Sequence, residues 1–301
     1  MPRVIGIDPG TVSIDVCGID DGHTYLDRSW PSAEALADLD SFTAYLRSGG
    51  EPDLVAGPSG YGLPVRRAAE ATDLELRLAF LAGPGEAGGI GGLRGLARRL
   101  AAAGLPLIFT PGVIHLDSVP RHRKLNRVDL GTADKLCAAV LGVFEQSRRR
   151  GHGPDGASFV LVELGGAFTA GIAVSNGRVV DGVGGSSGPI GWRAAGALDA
   201  EVAFLAGEVT KATLFGGGVL SIRADATVAG ADRMAMDAYL EGAIKMVHQL
   251  LVSAPAANEV LLSGRLAAHP EVRGRIGDAL ARVAAVRPLS GFATIAKQGA
   301  Q

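Results

Sequence analysis

A chain of 301 residues, 47% apolar and 20% charged, is long enough for one large core or two ordinary domains and has the composition of a folded protein. Its formal charge of −2 lacks the basic excess of a non-specific nucleic-acid binder. Asp8 interrupts the first apolar run and no later run approaches the roughly 18–20 apolar residues of a membrane span, so the expected location is cytoplasmic. Its two cysteines, Cys17 and Cys137, have no CxxC spacing and read as small buried hydrophobes rather than zinc ligands or a disulfide.

"RVIGIDPG" reads as a buried strand ending at Asp8 and Gly10, "VSIDVCGIDDG" as its antiparallel partner, and "HTYLDRSW" as a third strand. Apolar spacing near 3.6 across "SAEALADLDSFTAYLRSGG" predicts one helix, from a Ser32 N-cap to a stop at Gly49 and Gly50. "PDLVAGPSGYGLPV" predicts a buried strand running into a loop, and this ordering implies a mixed sheet in an α/β architecture. "GPGEAGGIGGLRG" predicts a flexible connection before the helix "LRGLARRLAAAG", and "LPLIFTPGVIHL" a further strand and loop. The polar "SVPRHRKLNRVDLG" leads into an amphipathic helix, "TADKLCAAVLGVFEQSRRRG", whose basic end reads as solvated. "HGPDGA" marks the expected boundary between domains 1–154 and 155–301.

After that boundary the opening pattern returns in "SFVLVELGGAFTAGIAVSNGRVVDGVGG". Without gaps, Asp8 matches Glu163, Gly10 matches Gly165 and Thr11 matches Gly166, which reads as an internal duplication with a ligand cleft between its halves. "GPIGWRAAGALDAEVAFLAG" then predicts a loop entering a helix. A long helix is expected from about Ala231 to Val252, and the strand "NEVLLSG" turns at Gly264 into "RLAAHPEVRGRIGDALARV". The final "FATIAKQGAQ" reads as the first turns of a helix.

A strand that ends in an acid followed by glycines has a chemical use. Backbone N–H groups can approach anionic oxygens where no Cβ intervenes, and a carboxylate suits magnesium as a hard oxygen ligand. A hairpin turn explains either loop alone; the recurrence favours two loops clamping a polyphosphate. The junction at Ser263, Gly264 and Arg265, and the glycines of "LFGGG" around Gly217, are candidate partners for the rest of a nucleotide. No GxxxxGK[ST] occurs, so a P-loop is excluded.

In their order and spacing these loops resemble the superfamily of acetate and sugar kinases, heat-shock ATPases and actin. Within it, "PSGYGLP", "PGVIHLDSVPRHRKLNRVDLGTADKLC", "VLVELGGAFTAGIAV" and "GALDAEVAFLAG" most resemble the chiefly archaeal family of predicted butyrate kinases. The resemblance implies two ribonuclease-H-like, actin-like ATPase domains with mixed sheets flanked by helices, and Mg-ATP in the cleft between them. It implies that Asp8, Gly10, Thr11, Gly165, Gly166, Gly217, Ser263, Gly264 and Arg265 hold the nucleotide and that Asp8 and Glu163 face the metal. Two departures stand out: Glu163 replaces the superfamily's more usual aspartate, and Ala167 stands where a third glycine is common. The chain also reads as stopping before the superfamily's last helix.

Phosphoryl transfer needs positive charge around the moving group, and "RHRKLNR" offers Arg123 and Lys124 together with Arg121 and Arg127. Asp129 and Asp134 flank the start of the connecting helix, and Asp129 is preferred as the residue that orients water or accepts a proton. Ser59 and Tyr61, with Arg66 or Arg67, and Asn126 are candidate acceptor contacts. Ser186, Ser187 and Trp192 belong to a candidate flap over the acceptor. The resulting expectation is an ATP-dependent kinase of a small molecule, with no nucleic-acid or membrane partner and at most a second copy of itself. The alternatives are an ATP-driven switch acting on a partner protein, an adenylating or carbamoylating transferase, and a nucleotide binder without chemistry.

Overall fold

The computed structural model describes residues 2–10, 13–83, 86, 92–222, 227–291 and 299–301. The chain divides into two compact units, Met1–His115 with Thr132–Leu141 and Ser290–Gln301, and Leu116–Gly131 with Gly142–Leu289.

The first unit opens with an antiparallel meander, β1 (Val4–Pro9), β2 (Ser13–Asp20) and β3 (His23–Pro31). It continues through α1 (Ser32–Ala37), α2 (Leu39–Arg47), β4 (Leu54–Ala56), β5 (Arg66–Arg67), α3 (Asp73–Ala79), α4 (Leu93–Ala102) and β6 (Leu107–Phe109). The sheet order is β3-β2-β1-β4-β6-β5, with β1, β4 and β6 parallel. Ile5, Ile7, Ile14 and Val16 from the meander meet Phe42, Leu46, Phe80, Leu96, Leu100 and Phe109 in one core. On α4 the buried Leu93, Leu96, Ala97 and Leu100 recur at helical spacing, which is why this segment folds as an amphipathic helix.

The single helix expected over residues 32–50 is two. Asp38 leaves the helical conformation and its carboxylate accepts from Ser41 N at 3.0 Å, capping α2 instead of continuing α1. Ser32 is the first residue of α1 rather than its cap.

Helix α5 (Ala133–Arg150) belongs to the first unit through Leu141 and to the second from Gly142. The second unit adds β7 (Phe159–Leu164), β8 (Thr169–Ser175), β9 (Arg178–Val183), α6 (Ala200–Ala206), α7 (Lys211–Phe215), α8 (Val219–Ile222), α9 (Arg233–Leu251), β10 (Glu259–Ser263), α10 (Pro270–Leu280) and β11 (Ala285–Pro288). Its sheet order is β11-β10-β7-β8-β9. The long helix predicted near 231–252 is α9, capped by Asp232, whose carboxylate accepts from Ala235 N. Tyr239, Leu240, Ala243, Met246, Val247 and Leu250 form its buried stripe against Val160, Val162 and Leu164 of β7.

The duplication read from the sequence is present in both topology and register. Each sheet places its meander in the same order and sets a parallel strand against the meander's first member, β4 on β1 and β10 on β7. Asp8 pairs with Asp15 and Glu163 with Ala170, so each acid faces the residue seven places on. The turns also close alike: Gly10 N donates to Ser13 O at 2.8 Å and Gly165 N to Phe168 O at 3.0 Å. Residues 292–298 of the expected terminal helix lie outside the described residues.

The basic end of α5, expected to be solvated, is engaged in an ion network. Arg149 and Arg150 converge on Glu259, whose side chain is 1% exposed. Burial alone would raise the Glu259 carboxyl, but hydrogen bonds from Gln146 and Arg149 and the charges of Arg149 and Arg150 hold it below its ordinary value of 4.5. A carboxyl depressed on folding stabilises the protein above the unfolded value, and that stability is lost as pH falls through the lower folded value. The urea midpoint of the wild type is therefore expected to exceed that of Glu259→Gln at pH 7. The gap should narrow as pH is taken below about 4.5.

Candidate active site

In the first unit the end of β1 brings Asp8, 4% exposed, beside the first turn of α5. An atom placed at the Cβ position of Gly299 would lie 2.5 Å from Asp8 Oδ2 and 3.0 Å from Asp134 Cβ, so Gly299 packs against both residues. Thr132 Oγ1 donates to Asp134 Oδ1, and Lys135 Nζ lies 2.5 Å from Asp134 Oδ2. Asp134 suits the positive end of an 18-residue helix, whereas a lysine there opposes the dipole and needs a carboxylate partner. Lys135 is not among the residues the sequence points to; its one signal there is a cation in the first turn of "TADKLC".

The loop before α3 is held against this corner. Ser59, 3% exposed, accepts from Thr110 N at 2.9 Å and meets Thr110 Oγ1 at 3.1 Å. Tyr61 N donates to Ala79 O, and Ala133 N donates to Gly60 O at the head of α5. Arg66 is engaged by Glu75, and His115 Nδ1 accepts from Gly112 N within its own turn. Gly10 O accepts from Ser32 Oγ at 2.8 Å, while Thr11 lies outside the described residues.

Cys137, one turn into α5, has its thiol pushed up to about 11, chiefly by burial and further by Asp134 and Asp8. Burial pushes Cys17 up to about 12. Neither sulfur is nucleophilic near neutrality. Iodoacetamide at pH 8 is expected to leave the native protein unmodified and to add two labels in urea, as read by intact mass.

In the second unit, β7 and β10 run parallel with Glu163 beside Ser263. The chain turns at Gly264 with φ +87°, where a Cβ would stand 2.6 Å from Leu164 O and 3.0 Å from Gly165 N, so only glycine fits. Ser263 is 2% exposed and its Oγ has no hydrogen-bond partner among the described residues. The second hairpin turn and the loop around Gly217 are also neighbours: Phe168 and Phe215 meet edge to face at 5.5 Å. Gly217 bridges to Ala194, and Ala167 O accepts from Arg193 N and Ala194 N. Gly165, Gly217, Ser263 and Gly264 thus sit on loops packed together at one end of the sheet. Gly166 and Arg265 are exposed there.

Asp129, 7% exposed, is fully engaged within the second unit. Its Oδ1 accepts from Gly131 N at 3.0 Å, its Oδ2 from Ser186 N and Ser186 Oγ at 3.1 Å each, and its backbone carbonyl from Ser187 Oγ at 2.7 Å. The carboxylate clasps the loop after β9. Arg123 donates to Val180 O at 2.7 Å and lies 3.7 Å from Asp181, while Lys124 donates to Leu116 O. Both cations tie their segment down. Asn126 is an exposed turn residue with φ +54°. Trp192, expected in a flap, is 5% exposed and packs on Tyr239 in the core.

Among the described residues no group of three or more His, Cys, Asp or Glu is arranged to hold a metal ion. No described helix is long and apolar enough to cross a membrane.

Two mixed sheets flanked by helices, each begun by the same acid-tipped hairpin, define the two-domain actin-like ATPase fold. The chain belongs to the family described as "Protein of unknown function (DUF1464)", whose model matches residues 6–301. Its fold is similar to that of an acetate kinase from Entamoeba histolytica, with TM-score 0.63 and 11% identity over 93% of this chain and 87% of that one. It is also similar to Porphyromonas gingivalis acetate kinase, with TM-score 0.62 and 13% identity over 92% and 86% of the two chains. A ROK family glucokinase from Streptomyces griseus, solved with glucose and AMPPNP, gives TM-score 0.54 and 16% identity over 99% and 96%. No curated protein matches the sequence.

Proposed function

We propose that the protein is an ATP-dependent phosphotransferase acting on a small molecule, with a short carboxylic acid as acceptor, in the manner of acetate and butyrate kinases. The observation that carries this reading is the repeated hairpin, an acid followed two residues later by a glycine whose N–H closes the same turn in both units. The fold shared with acetate kinases and a glucokinase supports it.

The residues present fit a magnesium nucleotide. Magnesium is usually held by one or two carboxylates, with water and phosphate oxygens completing its shell; Asp8 is the carboxylate assigned to it at the first hairpin and Glu163 at the second. Mg-ATP supplies the transferable phosphoryl group and the charge neutralisation. The N–H groups of Gly10 and Gly165 close the two turns, and the next N–H groups, of Thr11 and Gly166, are assigned to phosphate oxygens. The buried Ser263 hydroxyl, without a partner among the described residues, is assigned with Gly264, Gly217 and Arg265 to the nucleoside side. Lys135 balances the charge of Asp134 and holds it in place.

A carboxylate acceptor is already a nucleophile, so no strong base is required, which agrees with Asp129 being engaged as a clasp. An alcohol would need Asp134 to take its proton. Tyr61 and Asn126 are assigned to the acceptor.

Thermal shift with Mg-ATP, followed by ADP release against short acids, sugars and polyols, tests the proposal. A raised melting temperature and acceptor-dependent ADP are expected. No stabilisation of the folded chain by any nucleotide overturns the reading; stabilisation with only slow, acceptor-independent hydrolysis replaces it with a switch.

A further inference from the structure

At the start of β10, the opposite end from Ser263, the buried Glu259 collects side chains from two elements. From α5, Gln146 Nε2 approaches at 2.5 Å, Arg149 at 2.5 and 2.6 Å, and Arg150 at 3.4 Å. From β11, Arg287 Nε lies 3.0 Å from Oε1. One guanidinium contacting both oxygens is enough to compensate one buried carboxylate. Here three cations contact one anion, an excess of two positive charges within this set of contacts.

The three arginines are also incompletely used. Arg149 and Arg150 bond through one nitrogen each, Arg150 sharing its own with Asn258 Oδ1, and Arg287 contacts Glu259 through Nε alone. Their remaining guanidinium nitrogens have no hydrogen-bond partner among the described residues. The side chains are 40%, 34% and 53% exposed. Stability explains Arg149 and the charge Arg150 adds to it. It does not explain Arg287, a third cation that repels both at a water-accessible edge.

We propose that Arg149, Arg150 and Arg287 form a binding site for a phosphate-type dianion, a second ligand site on the second unit. Guanidinium donors match the paired oxygens of phosphate, and a second anion relieves the repulsion that Glu259 leaves uncompensated. Four residue steps along β10 put the site about 13 Å from Ser263, at the wrong end of the sheet for the phosphate loops. The inference stands on its own observations and does not depend on the ATP reading.

The test is thermal shift and calorimetric titration of the full chain with inorganic phosphate and pyrophosphate, against sodium chloride at equal ionic strength. Pyrophosphate is expected to raise the melting temperature by about 2–4 °C beyond chloride. The double variant Arg150→Gln, Arg287→Gln should lose that rise yet keep its response to Mg-ATP. Asp8→Asn should do the reverse. Should the double variant fail to fold, Arg287→Gln alone, altering a half-exposed side chain, should weaken pyrophosphate binding at least about fivefold. An undiminished pyrophosphate response in these variants, or an equal response to chloride, overturns the proposal. So does loss of the response in Asp8→Asn, which would place the anion at the phosphate loop.

Discussion

Asp8→Asn is expected to abolish stabilisation by Mg-ATP and to lower acceptor-dependent ADP formation at least about 100-fold. The amide preserves size at a buried position but cannot balance a divalent cation. It also removes a charge from a crowded place, because Asp8 faces Asp15 directly across β1 and β2 and shares its corner with Asp134. Like charges opposite each other on a sheet repel, so that repulsion is lost as the amide disables the site. Asp134→Asn should behave differently. It leaves Lys135, 18% exposed, without the carboxylate it pairs with, so stability should fall as well. Melting temperature and ADP release measured on both variants distinguish a ligand-binding acid from a merely structural one. A large stability loss in Asp8→Asn would assign Asp8 to the fold instead.

Gly184→Val is expected to cost about 2–4 kcal/mol of stability. A Cβ on Gly184 would stand 1.8 Å from Asp129 Oδ1. It expels the carboxylate from its bonds to Gly131 N, Ser186 N and Ser186 Oγ, and the loop after β9 loses its anchor. Asp129→Asn should cost less, about 1–2 kcal/mol, because one carboxylate oxygen becomes an NH₂ facing a donor. Urea denaturation gives both values. Kinetics of the Asp129→Asn variant separate two roles for this acid. If Asp129 positions the loop, the variant should keep most of the turnover at saturating acceptor while its acceptor KM rises. If Asp129 is a general base, the variant should lose turnover with little change in KM.

The hairpins, the long helices and the duplication were legible because their signals are local. Period-two alternation, a turn closed over three residues and a 3.6-residue stripe are each complete within some twenty residues. The break at Asp38 was missed because apolar spacing continued through it, while the competing interaction was one carboxylate reaching a backbone N–H three residues on. The loop residues at Gly165, Ser263 and Gly264 were singled out one strand end at a time, and parallel pairing of β7 and β10 set them side by side.

By itself, then, the sequence determined two copies of one α/β unit and the acid at the tip of each first hairpin, since short-range periodicity and turn chemistry encode both. Tertiary structure alone decided what the polar side chains do. Asp129 meets Ser186 across 57 positions, Arg149 meets Glu259 across 110, and Trp192 turns into the core. A carboxylate or guanidinium carries no mark of its future partner, because that partner is brought near only when distant segments pack and water is excluded.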